Sequence, residues 1–275
     1  MLSNIEKIIF IIIAISAFSA SYVTFGKMFK AISVGSQKID WKKALWNFPK
    51  GLKVFISQNT LFKTRPIVGF IHALVAWGFT LYLIVNVVDV LYGFIPDFHF
   101  FPNYFIGKMY RIFVDVFTVL VLVGVFYFLV RRFIFNDKRL IINKPVMISE
   151  EARIGMRNDS LLVGLFILFH VGARFLSASF EIAKNGVDDF QPAATTVSLL
   201  WSNLSSENII LFEHITWWIA LGLILGFLPY FPFSKHAHLF MGPLNYMVKQ
   251  ERSSMAAIET IDFEASHHSC VRSCQ

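Results

Sequence analysis

Apolar residues in this chain neither alternate nor mark one face of soluble helices; they fall in five long runs. The runs are roughly Ile8–Phe25, Ile67–Leu91 (opened by Pro66), Ile112–Val130 (stopped by Arg131 and Arg132), Leu161–Phe180, and Ile209 to about Phe233. About 20 apolar residues in helical form cross the hydrocarbon layer of a bilayer, so each run reads as a membrane span. For the first run a cleavable signal peptide is the competing reading, since Ala17 and Ser19 suit a peptidase. The run lacks a basic leading segment, and a retained helix is the expectation. The fold class expected is an all-α integral membrane protein: a five-transmembrane-helix bundle over residues 1–245, followed by a short polar tail, 246–275. No internal repeat or low-complexity tract interrupts this plan.

Composition agrees with the pattern. Of the 275 residues 56% are hydrophobic, against roughly 45–50% in soluble domains, and the mean hydropathy is +0.59. The net charge of +7 at first invites a nucleic-acid partner, but its placement argues against one. Residues 26–65 carry nine Lys/Arg against the single acid Asp40, and residues 131–158 carry seven. The loop between the second and third runs is nearly free of basic residues before Lys108. The loop between the fourth and fifth has Lys184 against Glu181, Asp188, Asp189 and Glu207. Basic loops stay on the cytoplasmic side, which predicts an N-terminus outside, a C-terminus in the cytoplasm, and a multi-pass protein of the cell inner membrane. Membrane orientation accounts for the charge, lipid is the surrounding partner, and no nucleic acid is needed.

Ionisable groups inside membrane helices are costly and usually face the bundle interior or a functional cavity. The spans contain His72, His170 with Arg174, and His214, while His236 and His238 sit at the inner end of the fifth run. Imidazoles from two helices pointing at one iron give a six-coordinate haem suited to electron transfer. At about 1.5 Å per residue, His72 lies seven residues past Arg65 and about 10 Å inside the inner boundary. His238 lies near the same boundary, three residues past Lys235, so His72 and His238 are a candidate pair for an inner haem. His170 near the middle and His214 in the outer half form a looser candidate pair for an outer haem. Two residues apart on a helix, His236 and His238 point about 200° apart and cannot both serve one site; His238 is preferred, with His236 the fallback. Arg174, one turn beyond His170, is placed to pair with a haem propionate.

Blander roles compete at each position. A histidine in a membrane helix can simply hydrogen-bond a neighbouring helix, and Arg174 can satisfy backbone carbonyls or snorkel. A transporter relay through His170, Arg174 and Glu213 is a further alternative, although the inverted repeats typical of such proteins are not visible. Cys270 and Cys274 at the C-terminus cannot form a disulfide framework.

The stretch Arg65-Pro-Ile-Val-Gly-Phe-Ile-His72-Ala-Leu-Val-Ala-Trp-Gly78-Phe79, the double arginine Arg131-Arg132, and the stretch from Trp217-Trp218 through Phe231-Pro-Phe-Ser-Lys235-His236-Ala-His238, then Pro243 and Asn245, carry a family resemblance. Together they resemble the membrane cytochrome b family that contains the gamma subunit of respiratory nitrate reductase. They are closer to the membrane domains of heterodisulfide-reductase-like iron–sulfur oxidoreductases. The resemblance covers roughly residues 60–250. It implies haem b, one or two per chain, and electron exchange between membrane quinone or quinol and a cytoplasmic iron–sulfur protein or fused domain. His72 and His238 fall on the family's inner-haem positions. The family's other two ligand positions hold Tyr82 and Ala220, so His170 and His214 enter only as substitutes. A cubane cluster needs four thiolates, and Cys270-Val-Arg-Ser-Cys274 supplies two at the wrong spacing; no complete iron–sulfur cluster is expected in this chain. A haem-free membrane anchor is the alternative function.

Overall fold

The computed structural model describes residues 2–34, 40–96, 98–137, 140 and 148–248. Its α-helices, in chain order, are α1 (Asn4–Ser33), α2 (Trp41–Trp46), α3 (Phe48–Ser57), α4 (Asn59–Thr64), α5 (Pro66–Phe94), α6 (Phe105–Leu129), α7 (Glu150–Asn185), α8 (Pro192–Ser198), α9 (Ser206–Phe227) and α10 (His238–Val248). α6 runs on into a π-helical turn, Val130–Ile134. The expected apolar runs are all helical, and α1, α5, α6 with its π turn, α7 and α9 are each long and apolar enough to cross a membrane. The chain is a helical, multi-pass membrane protein. Residues 249–275, with Cys270 and Cys274, lie outside the described residues.

Local chemistry sets where the helices begin. Ser3 and Glu6 form a reciprocal capping box at the start of α1, satisfying two amides that the helix itself cannot. The Ser149 and Ser205 hydroxyls accept from Ala152 N and Asn208 N to open α7 and α9, and Pro66 occupies the first turn of α5, where a missing N–H costs nothing. α7 begins eleven residues before the apolar run that predicted it. Its 36 residues span about 54 Å, well beyond the hydrocarbon thickness, because the Ser149 cap, not the onset of apolar sequence, starts the helix.

The long helices alternate in direction. Leu2 N donates to Gly93 O, so α1 starts where α5 ends. Phe25 stacks on Phe231 with centroids 6.1 Å apart, so α1 ends where α9 ends. α7 packs between α6 and α9, α5 packs on α6, and α1 covers α9. The core is built from Val85, Val114, Val121, Val125, Phe166 and Phe227. Without a water-driven force between helices, close backbone approach through small residues becomes important. At Gly78, a Cβ would lie only 2.2 Å from Val121 Cγ2, which fixes the α5–α6 approach.

Two features depart from the sequence expectation. The loop between the first two spans folds into α2–α4, and α3 packs on α10, with Asn47 Nδ2 donating to Met247 O at 3.2 Å. The fifth span stops at Phe227, short of Phe233. Pro229 and Pro232 cannot donate and break the helical ladder; two 3₁₀ turns, Phe231–Phe233 and Lys235–Ala237, follow before α10. His236 and His238 therefore do not share the fifth helix, and the angular argument that separated them does not apply.

Candidate functional site

The site at the α10 end of the bundle is formed by α5, the α3–α4 junction and the turn into α10. His72 sits in the second turn of α5, half-buried, with Nδ1 2.9 Å from Gln58 Oε1. Gln58 occupies the left-handed backbone region, φ 46°, where α3 turns into α4. That turn directs its side chain at His72. His238 opens α10, and its Nδ1 bonds the Lys235 carbonyl. The two imidazole rings lie 6.0 Å apart, centroid to centroid, and inclined by 42°.

These observations test the fit of a bis-histidine metal centre. Two imidazoles on opposite sides of one metal ion, each with a nitrogen at about 2.0 Å, place their centroids roughly 6 Å apart. Ligating histidines almost always donate the other ring N–H to a carbonyl or carboxylate, which fixes the tautomer. In His72 and His238 the Nδ1 atoms are held by oxygen acceptors, which leaves both Nε2 atoms as lone-pair donors. The ring separation and the oxygen partners of both Nδ1 atoms match these two requirements.

His236, the fallback ligand, is buried against the rings of Phe79, Phe227 and Phe231, at 5.0, 5.6 and 6.4 Å. Burial, with the charge of neighbouring His238 added, pushes its imidazole down to about 4. It packs as a neutral core residue, and His238 is the histidine brought to His72.

His170 and His214 are not brought together. His170 Nδ1 lies 2.7 Å from the Ala220 carbonyl, Phe166 stacks on the ring at 5.6 Å, and Tyr82 meets it edge-on at 5.8 Å. Tyr82 and Ala220 are thus both contacts of His170. Its Nε2 is buried with no partner among the described residues. The adjoining cavity of about 30 Å³ has room for about one water, far less than a macrocycle needs. His214 faces the other way: Nδ1 is 3.1 Å from Glu6 Oε1, which also accepts from Trp218 Nε1 at 3.1 Å. That triad pins α1 to α9.

Arg174 likewise has a protein partner. Its Nε and Nη2 donate to the Asp89 carboxylate at 3.2 and 3.4 Å, and Asp89's backbone carbonyl accepts from Trp217 Nε1 at 3.1 Å. The expected propionate contact is replaced by this buried ion pair. Glu213 lies 3.6 Å from Lys184 Nζ, so the relay of His170, Arg174 and Glu213 separates into three unconnected contacts. The pair also borders a cavity of about 120 Å³ lined by Asp89, Tyr92, Tyr110, Arg174 and Glu181.

Asp89 and Asp115 were not singled out in the sequence, although each is a carboxylate inside an apolar run and the rule that flagged Arg174 applies to both. Asp115 is buried and accepts from Ala193 N and Ala194 N at 2.7 and 3.0 Å, capping α8 from α6. Gln58 could not have been found by that rule, because it lies in a loop and only the turn brings it to His72.

Comparison with known proteins adds a second line. The chain is 26% identical over 215 residues to a Bacillus subtilis (strain 168) protein named "Probable iron-sulfur-binding oxidoreductase FadF", a match covering 75% of this chain. It is 26% identical over 187 residues, 66% of this chain, to the "EtfAB:quinone oxidoreductase" of Syntrophomonas wolfei subsp. wolfei. The chain is related to oxidoreductases. It spans about a quarter of the length of these relatives, 27% and 25% respectively. It matches no family model and no solved structure.

Proposed function

We propose that this chain is the membrane cytochrome b part of an oxidoreductase. It would carry electrons between membrane quinone and a cytoplasmic iron–sulfur protein or domain, through one haem b held by His72 and His238. The observation that carries this reading is the facing pair of imidazoles, 6.0 Å apart, each with Nδ1 held by an oxygen. A haem held there supplies one-electron transfer. The chain's own residues orient the two imidazoles: Gln58 from the α3–α4 turn, Lys235 O from the turn before α10. The names of the two relatives, one iron–sulfur-binding and one a quinone oxidoreductase, support the choice of partners. The basic loops support a cytoplasmic α10 end, and on that orientation the exposed lysines of α2 and α3 form the face on which an acidic partner docks. With one centre near this boundary, electrons enter and leave close to the cytoplasmic face.

A dithionite-reduced minus oxidised spectrum of the purified chain, with haem quantified per polypeptide, tests the reading. One haem per chain is expected, lost in His72→Ala and in His238→Ala and retained in His214→Ala and His236→Phe. A chain that folds, purifies with its partner and contains no haem refutes the reading and leaves a haem-free membrane anchor. Two haems would overturn the single-centre assignment.

A further inference from the structure

The inner ends of α6 and α7 and the turn before α10 enclose a second feature that electron transfer does not use. It is an open cavity of about 480 Å³ whose lining includes Arg132, Arg153, Arg157 and Lys235. The cations there are only partly compensated. Asp137 is held by Arg131, Glu150 lies 4.0 Å from Arg153, and Asp159 accepts from Tyr230 Oη and Lys235 N at 2.7 and 3.1 Å. Neither Arg132 nor Arg157 forms an ion pair among the described residues, although the charge of Asp159 acts on Arg132, and Arg157 lies over the Phe133 ring, 5.6 Å from its centroid. The Lys235 ammonium donates to Met156 O at 2.7 Å and to Ser160 Oγ. Four cations, Arg132, Arg153, Arg157 and Lys235, thus share one cavity with only two carboxylates, Asp137 and Glu150, at the end of two membrane-crossing helices.

The surroundings identify the kind of anion. Ile134, Phe135 and Ile154 beside the cavity are more than half exposed. Exposed apolar side chains continue along both helices toward mid-membrane, Val123 and Phe126 on α6 and Leu161 and Leu165 on α7. A free phosphate has no use for such flanks, and an acidic protein surface would not follow them into the bilayer. Basic pockets between membrane helices on the cytoplasmic side suit anionic phospholipid head groups. We infer that this cavity binds the phosphodiester head group of an anionic phospholipid through Arg132, Arg157 and Lys235, with the acyl chains lying along α6 and α7.

Native mass spectrometry of the full chain in neutral detergent, titrated with phosphatidylglycerol and separately with phosphatidylcholine, tests the inference. Phosphatidylglycerol is expected to bind the wild type in preference to phosphatidylcholine, more weakly as salt rises. The double variant Arg132→Gln/Arg157→Gln is expected to lower its affinity about thirtyfold and leave phosphatidylcholine unchanged. Lys42→Gln/Lys43→Gln, on α2 and outside the cavity lining, should alter neither. Equal binding of the two lipids by the wild type overturns the proposal without any variant. So does an undiminished phosphatidylglycerol affinity in a double variant that melts like the wild type. Full displacement by millimolar inorganic phosphate would show instead a site for the free anion.

Discussion

Replacing Asp89 by Asn removes a charge while nearly preserving shape, and it leaves the Arg174 guanidinium uncompensated inside the bundle. The two side chains are 17% and 14% exposed, so solvent does little to screen the loss. Breaking a buried pair by removing one partner costs about 3–5 kcal/mol. The hydrogen bonds of 3.2 and 3.4 Å are long for a guanidinium–carboxylate pair, which places the expected cost near the lower end, about 3 kcal/mol. At about 2–4 °C per kcal/mol for chains approaching this size, Tm should fall by about 6–12 °C. Thermal unfolding of the purified chain in detergent, followed by intrinsic tryptophan fluorescence, measures this directly. Arg174→Gln should lower Tm by a similar amount, and the double variant should lose much less than the sum, because the second change removes the charge that the first stranded. A fall of less than about 2 °C in Asp89→Asn, about 1 kcal/mol or less, would refute the reasoning. Losses that simply add in the double variant would refute it too, showing that Arg174 has its real partner elsewhere.

Three further outcomes follow from the packing and the charge pattern. Gly78→Ala should cost about 1–3 kcal/mol by overpacking against Val121, and Val121→Ala should restore part of it; a neutral Gly78→Ala would mean that α5 and α6 do not approach so closely. Asp115→Ala strands two backbone N–H groups at about 1–3 kcal/mol, and hydrogen exchange should quicken at Ala193 and Ala194 by at least about tenfold, with amides in α9 unchanged. In a variant with Cys270 and Cys274 replaced by serine, a cysteine at Lys43 should react with a membrane-impermeant maleimide only from the cytoplasmic side. One at Asn103 should react only from the opposite side, and reversed labelling would overturn the orientation.

The five spans were legible in the sequence because length and apolarity alone decide whether a helix can cross a bilayer, and no tertiary contact is needed to read them. The orientation expectation likewise needed only the placement of Lys and Arg in loops. The pairing of His72 with His238 could be anticipated from depth below the same boundary, since rise per residue converts sequence distance to depth. Depth carries no information about rotation around the helix axis, and there the sequence reading failed. His170 and His214 look like neighbours by depth, yet one faces Tyr82 and Ala220 inside the bundle and the other faces Glu6 on α1. Arg174 announced itself as a costly buried charge, but its partner Asp89, 85 residues away in the chain, was fixed only by the tertiary fold, which turns the Asp89 side chain of α5 toward α7. The acceptors that orient the two candidate ligands have the same character. Gln58 and the Lys235 carbonyl lie in turns whose course depends on the proline-broken end of α9 and on α3 closing over α10. The sequence by itself determined which segments enter the membrane. The tertiary structure decided which polar groups meet there, because that depends on helix rotation and on turns that hydropathy does not encode.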